Sequence, residues 1–458
     1  MERVLLVFPK EGMERWKGIV APPSVLFLSA GLKEKGFEVD FSFLEVQSLT
    51  LSPPRELSSY FAIGITLFDD FFLQEAEFVR RIPPGPLVLL GGITPTMAPV
   101  EVFYLFPKAN VVFPGEGDKA FGKVLASLRD GKIPRGPWGI RLGGKEKPPQ
   151  PIPIRESLSR VFPDLSLAEQ ELEIVLTRGC PRSCIFCTHA HGRLQRRTPL
   201  SSVRNWMREF RKKGGERVNL ADDDILLDPD YAKEVFRIIG EEGLKIWGVQ
   251  TSMDSLRLPG AIEALRKAPF VAEPILWIGT DAFLDRRAKR LAKRSRQRDI
   301  MWTIEKLEDE GIKNYHYWIL TDCLSELEEF VEEFSLVGKL IMNFPGFHLL
   351  PNAPFLIPYP YTPAFKRALR LCPERVVYRR ILRRAGIKYP LVLLEKPADE
   401  VLFHFLNPER TLIPWTFAGE FVEHLRQGKV ERAASLLLTL TREQGLDPSP
   451  IYRIFEHG

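Results

Sequence analysis

A chain of 458 residues with 45% hydrophobic, 27% charged and 11% aromatic side chains is too long for one ordinary core and has the apolar material for two or three. No apolar run approaches the roughly 18 residues of a membrane-spanning helix, so no transmembrane segment is expected. The opening Met1-Glu-Arg-Val-Leu-Leu-Val-Phe-Pro9 reads as a strand and not a signal peptide, which places the protein in the cytoplasm, and a net charge of +5 makes a nucleic-acid partner unlikely at this size.

The first 125 residues alternate strand-like and helix-like segments. Val4–Phe8, Phe37–Phe43, Phe61–Thr66, Leu87–Leu90 and Val111–Phe113 are short apolar runs of the kind buried on both faces of a sheet. Pro23–Lys35, closed by Gly36, and Phe72–Arg81, stopped by Pro83-Pro-Gly-Pro86, read as helices. Such alternation predicts a doubly wound parallel sheet over residues 1–125. Residues 126–168 read as a linker, with a proline-rich stretch at Lys147–Pro153.

Alternation resumes over 169–360. Glu173–Thr177, Arg217–Leu220, Ile246–Gln250, Ile275–Ile278, Tyr315–Leu320 and Phe347–Leu350 are six candidate strands, separated by helical stretches such as Ser202–Lys213, Tyr231–Glu242 and Ile300–Glu310. Six successive strand–helix units favour a partial (β/α)6 barrel over a second open sheet. Residues 361–458 lose the strand signal and read as mainly helical. The predicted fold class is therefore α/β, with a Rossmann-like domain, a TIM-type barrel and a helical C-terminal region.

Five cysteines in a cytosolic chain point to metal binding or catalysis and not to disulfides. Three of them, Cys180, Cys184 and Cys187, fall within eight residues, directly after a predicted strand. Thiolates at C-x3-C-x2-C spacing can ligate three irons of a cubane and leave the fourth iron open. An open iron can chelate the amino and carboxylate groups of S-adenosylmethionine (SAM). The rival reading is a zinc site with His189 or His191 as fourth ligand, but no second Cys/His pair at zinc spacing follows. Cys323 and Cys372 are isolated and cannot supply a second cluster alone.

The stretch Leu176-Thr-Arg-Gly-Cys180-Pro-Arg-Ser-Cys184-Ile-Phe-Cys187-Thr-His resembles the cluster motif of the radical SAM superfamily. Further pieces follow the same pattern over about 170–350: Arg217-Val-Asn-Leu-Ala-Asp-Asp223-Asp224, Trp277-Ile-Gly-Thr-Asp281-Ala-Phe283 and Gly311–Leu320. The resemblance implies a [4Fe–4S] cluster that cleaves SAM reductively, with Phe186 near the adenine. It implies cofactor contacts from Asp222, Asp223 and Asp281 at strand ends, Asp281 holding the SAM ribose, and reduction by a flavodoxin or ferredoxin. The chain departs from the family in having Asp281 where Glu is frequent and Thr321 where glycine is common.

The N-terminal segment resembles the cobalamin-binding domain fused to many radical SAM proteins, through Val4–Pro9, Ala21-Pro-Pro-Ser-Val-Leu26, Gly91-Gly92 and Gly115-Glu116-Gly117-Asp118. This implies cobalamin on Gly91, Gly92, Gly115, Glu116 and Gly117. No histidine precedes His189, so the usual lower-ligand motif is missing. The implied activity is a hydrogen abstraction by the 5′-deoxyadenosyl radical followed by methylation of an unactivated carbon from methylcobalamin. The alternatives are a radical SAM enzyme without cobalamin, performing cyclisation, rearrangement or C–C coupling, and a non-enzymatic Fe–S or zinc regulator.

Two basic stretches stand apart from the motif. Arg286–Arg298 carries eight basic residues in thirteen and follows the fourth barrel strand, so it could reach an anionic substrate or the SAM carboxylate; the alternative is a solvated helix face. Between Lys366 and Lys388 nine basic residues meet one acid, Glu374, which reads as a contact for phosphate, a lipid headgroup or an acidic peptide, or equally as a solvated face.

Overall fold

The computed structural model describes residues 2–371 and 420–455, apart from 11–20, 69–71, 151–153, 159–160, 321, 323–324, 351–355, 357–358, 360, 422, 426, 444 and 446. Cys323, Cys372, Thr321 and most of the Lys366–Lys388 stretch lie outside the described residues.

The first sheet has eight strands: β1 (Arg3–Lys10), β2 (Glu38–Glu45), β3 (Thr50–Ser52), β4 (Ala62–Leu67), β5 (Leu87–Gly92), β6 (Val111–Val112), β7 (Gly139–Leu142) and β8 (Lys145–Lys147). Their spatial order is β3-β2-β1-β4-β5-β6-β7-β8, and the five from β2 to β6 in that row are parallel. Alternation along β1 explains the apolar run. Val4, Leu6 and Phe8 enter the core shared with the helices Pro23–Lys33 and Ala120–Arg129, whereas Leu5 and Val7 enter a second core with Phe78, Val102 and Phe103 on the opposite face. The chain reverses direction across the sheet between β1 and β4. Beyond the carboxyl ends of these two strands lies the crevice where doubly wound folds bind ligands.

The predicted linker over 126–168 is corrected at 139–147, where β7 and β8 extend the first sheet as an antiparallel edge. Lys145-Glu-Lys147 is fully exposed and carries no apolar residue, which is how an edge strand avoids pairing with other chains and why hydropathy misses it. The edge is held from inside: Trp138 stacks on Phe113 with ring centroids 5.4 Å apart. Arg141 donates to the carbonyls of Phe103, Phe106 and Ala109.

The second sheet is the partial barrel: β9 (Glu171–Ile174), β12 (Arg217–Leu220), β13 (Lys245–Ser252), β14 (Phe270–Asp281), β15 (Asn314–Trp318) and β16 (Phe347–Leu350), parallel throughout and neighbours in chain order. Between β9 and β12, a two-stranded ribbon of β10 (Thr177–Arg178) and β11 (Arg196–Arg197) closes the neck of a loop over 179–195. His316 lies on β15 and is fully buried. Its Nδ1 faces the Thr280 hydroxyl at 2.7 Å and its Nε2 faces Asn314 Oδ1 at 2.6 Å. The Asn314 amide nitrogen donates to Ile312 O, so its oxygen must accept from Nε2–H, and Nδ1 accepts from Thr280. Burial depresses the His316 pKa to about 3, so the ring is a neutral core group.

C-terminal helices at Val430–Glu443 and Ser449–Tyr452 pack on the barrel helix Leu327–Asn343. Phe421 sits between Phe330 and Phe334. One apolar core thus runs from Val4 to Ile454, and Phe27 meets Trp206 edge-on across the two sheets at 5.8 Å.

The helices Pro23–Lys33 and Ala120–Arg129 cross where Gly31 and Gly122 touch. A Cβ on Gly31 would collide with the Asp118 carbonyl, and one on Gly122 with the Gly31 carbonyl. Both obstacles are backbone, which cannot rotate away. Gly31→Ala is therefore expected to cost about 1–3 kcal/mol, read as a lower apparent Tm with the wild-type far-UV spectrum retained.

Candidate active site

The two sheets present their carboxyl ends to one cleft of about 620 Å³. Gly91, Gly92, Gly115, Glu116 and Gly117 line it from the first sheet; Cys180, Cys184, Phe186, Cys187, Asp223 and Asp281 line it from the barrel. Asp222, expected to touch a cofactor, does not line it.

The cysteine loop is shaped by its tethers. At the carboxyl end of β12 three consecutive aspartates each hold a different part of it. Asp222 Oδ1 accepts from Leu176 N at 3.0 Å, from Thr177 N, and from the Thr177 hydroxyl at 2.7 Å. Asp223 Oδ2 accepts from Gly179 N at 2.8 Å and faces His191 Nδ1 at 3.1 Å. Asp224 takes Arg182, which stands between the first two cysteines, together with the hydroxyls of Thr251, Ser252 and Ser255. Arg182 also reaches Asp254 at 2.9 Å. The expectation that Asp222 contacts a cofactor is thus corrected: it is fully buried and bolts the start of the loop. Asp223 does both, holding Gly179 while facing the cleft. Gly179 has φ of +92°, and a Cβ there would strike the Leu194 carbonyl, so only glycine lets the two limbs of the loop close.

All three thiols are free, and burial raises each pKa, that of Cys187 to about 11. The loop alone thus favours the neutral thiol, and ligated iron would have to supply the charge that draws off the protons. Among the described residues, no group of three or more Cys, His, Asp or Glu side chains could hold a single metal ion. His191 is engaged by Asp223, and His189 gives its backbone N–H to Cys187 Sγ at 3.4 Å. Three sulfurs facing one cleft, one of them receiving an N–H···S bond, fit a cubane with one iron per thiolate.

Asp281 ends β14 with φ of +65°, a costly conformation for a non-glycine residue. Lys293 Nζ donates to its Oδ2 at 2.7 Å and to Gly279 O at 2.6 Å. Burial opposes the lysine's charge, but Asp281 outweighs it and the pKa is raised. The basic stretch is divided: Lys289, Arg294, Arg296 and Arg298 are exposed, as a solvated face would be, while others are engaged. Arg287 is buried against Glu333, Arg286 and Arg290 bind Glu329, and Lys293 supports Asp281 in the cleft. Lys293, Arg182 and Asp224 are the residues that motif reading missed. The signal for Lys293 was a cation at the end of a basic run following a strand-end acid.

On the facing side, Gly92 (φ +105°) would place a Cβ 2.8 Å from Leu67 O, while a Cβ on Gly91 would meet nothing within 4 Å. The Thr96 hydroxyl donates to Gly92 O at 2.6 Å and accepts from Gly115 N at 2.8 Å, tying the two glycine turns together. Bare backbone at two strand ends is a cradle that a large flat ligand can approach closely. Glu116 differs from its expected role: its carboxylate is occupied by Arg196 and Arg178 of the loop neck.

Asp222 also makes the site sensitive to pH. Burial raises its pKa from 3.8 to about 7 despite three donors on Oδ1. A carboxyl raised on folding stabilises the fold fully below its unfolded value, and that contribution is lost as pH rises through about 7, to a limit of roughly 4 kcal/mol. Asp222→Asn keeps the acceptor and removes the titration. Between pH 4 and 8 the wild-type apparent Tm should therefore fall further than that of the variant; parallel curves would show that Asp222 stays ionised.

Residues 174–334 match the family model described as the radical SAM superfamily. Over 376 residues the chain is 25% identical to the bacteriochlorophyllide d C-12(1)-methyltransferase of Chlorobaculum tepidum, covering 79% of this chain and 77% of that protein. Among solved structures it resembles the cobalamin-dependent SAM radical enzyme OxsB with aqua-cobalamin and SAM bound (TM-score 0.63, 15% identity), over 86% of this chain and 64% of that one. It also resembles the radical SAM methyltransferase TsrM from Kitasatospora setae with cobalamin and a [4Fe–4S] cluster bound (TM-score 0.55, 16% identity), over 78% of this chain and 74% of that one. Residues 174–334, with the cysteine loop at the mouth of a six-stranded partial barrel, thus form a radical SAM domain, and the Rossmann sheet facing it gives the chain the fold of solved structures that join such a sheet to the barrel.

Proposed function

We propose that this chain is a cobalamin-dependent radical SAM enzyme that methylates an unactivated carbon. The observation that carries the reading is the single cleft into which the three cluster cysteines and the bare glycine turns of the Rossmann sheet both open. Cys180, Cys184 and Cys187 would hold a [4Fe–4S] cluster, which would supply the electron for reductive cleavage of SAM, and Gly91, Gly92, Gly115 and Gly117 would hold a cobalamin, which would supply the methyl group. Asp281, held by Lys293, is placed to take the SAM ribose, and Phe186 to flank the adenine. Phe8, Phe68, Phe113 and Phe121 give the cleft an apolar wall that keeps water from a radical intermediate.

Among the described residues, each lysine or arginine lining the cleft has a carboxylate partner: Arg178 with Asp118, Arg182 with Asp224, Lys293 with Asp281. We therefore favour a substrate of mainly apolar surface over the anionic one considered from sequence. A flavodoxin or ferredoxin would reduce the cluster. The reducing cytoplasm, where free thiols persist, suits the reaction, and no described helix is long and apolar enough to cross a membrane.

The test is anaerobic reconstitution with iron, sulfide and hydroxocobalamin, then desalting and addition of dithionite and SAM. Retained corrin absorbance, 5′-deoxyadenosine and S-adenosylhomocysteine are expected, with 5′-deoxyadenosine abolished in Cys184→Ala. Formation of 5′-deoxyadenosine without corrin retention would leave a radical enzyme of cyclisation, rearrangement or coupling. No 5′-deoxyadenosine above the Cys184→Ala level would overturn the enzyme.

A further inference from the structure

The neck of the cysteine loop and the glycine turn of the other domain are joined by buried charge. Arg178 on β10 and Arg196 on β11 are direct partners in the antiparallel register, so their side chains leave the ribbon together. Both reach the same residue, Glu116, from the turn after β6. Arg196 binds both Glu116 carboxylate oxygens, one through Nη1 at 2.8 Å, and Arg178 Nη1 lies 3.6 Å from Oε2. Arg178 also holds Asp118, two residues on, at 2.8 Å. Glu116 accepts in addition from Glu156 N at 2.8 Å, and the Glu156 carboxylate receives Lys119 N and Ala120 N at the start of the helix Ala120–Arg129. Glu116, Asp118 and Arg178 are all buried. Burial opposes ionisation of Glu116, yet the two arginines hold its pKa below the ordinary range.

We infer that Glu116 is a positioning residue, which with Arg178 and Arg196 fixes the separation between the glycine cradle of the Rossmann domain and the cluster loop. The neck is the shortest route from the loop to the rest of the fold, and residues 179–195 contain every cluster cysteine. An apolar contact between the domains would resist separation but tolerate sliding. The Arg196 fork on the buried Glu116 carboxylate, with Arg178 on the neighbouring Asp118, does not, because the geometry of these contacts is directional. The inference rests on the proposed pairing of cluster and cobalamin, since only two cofactors acting on one substrate need a fixed spacing.

The experiment is pulsed EPR on reconstituted full-length protein, measuring the distance distribution between cob(II)alamin and the reduced cluster in wild type, Glu116→Gln and Arg196→Lys. Cofactor loading is checked by corrin absorbance and iron content. A narrow wild-type distribution, with a broadened or shifted one in both variants at unchanged loading, is expected. An unchanged distribution in loaded variants would overturn the inference. If wild type retains no corrin, the cofactor proposal fails by that readout, and the clamp is tested separately by hydrogen exchange of amides 176–198. There the variants should exchange about tenfold faster or more, and equal rates would refute it. Should Glu116→Gln fold poorly, Arg196→Lys, which keeps the charge and loses the fork, carries both measurements.

Discussion

A loop that offers three sulfurs to a cluster cannot also use them, or much regular structure of its own, to hold its shape. Here the burden falls on the carboxyl end of β12, where Asp222, Asp223 and Asp224 tie down the entry, the closing limbs and the middle of the loop in turn. Hydrogen bonds to charged groups are worth about 1.5–3 kcal/mol each. Several of them on a short segment can offset the entropy of ordering residues that pack little. The arrangement works because β9 and β12 are neighbours in the sheet, so the strand that launches the loop lies beside the strand that ends in the acids.

The same logic sets the two domains against each other. Their apolar core is continuous, with Phe27 on Trp206 and the Gly31–Gly122 helix crossing behind it, and it supplies most of the cohesion. Hydrophobic burial is non-directional, however, and does not choose one register over another close to it. The buried charges do. Glu116 with Arg178 and Arg196 lies beside the cleft, where a small slide would change what faces what. A buried ion pair is a poor source of stability compared with apolar side chains of equal volume. Its presence here is better explained by the orientation it imposes.

How much of this could be read from residues alone follows from the range of each interaction. The strands of both sheets were visible because Val, Ile and Leu runs report burial locally, and the cysteine triad because its spacing is local too. β3, β7 and β8 were not, since Thr50-Leu-Ser52 and Lys145-Glu-Lys147 pair only at the edges of the sheet and bury little. Asp222 and Asp223 were found at the right strand end, yet the role of Asp222 was misread. Its partners Leu176 and Thr177 lie 45 residues or more away, and nothing local distinguishes a carboxylate facing a ligand from one facing backbone N–H groups. Glu116 was picked as a cofactor contact for the same reason, its true partner Arg196 being 80 residues distant.

Asp281 shows how such distant pairs make a site out of an unfavourable conformation. A left-handed aspartate at a strand end would relax if its carboxylate were free to choose water. Lys293 prevents this by arriving from the stretch after the next helical turn, buried and donating to both Asp281 and the Gly279 carbonyl. That stretch is itself held by Arg287, Arg286 and Arg290 on the acids of the helix Leu327–Asn343. Four of the eight basic residues in Arg286–Arg298, namely Arg286, Arg287, Arg290 and Lys293, are the counter-charge to Glu329, Glu333 and Asp281. The aspartate in the cleft depends on a chain of ion pairs that starts on the outer layer of the barrel.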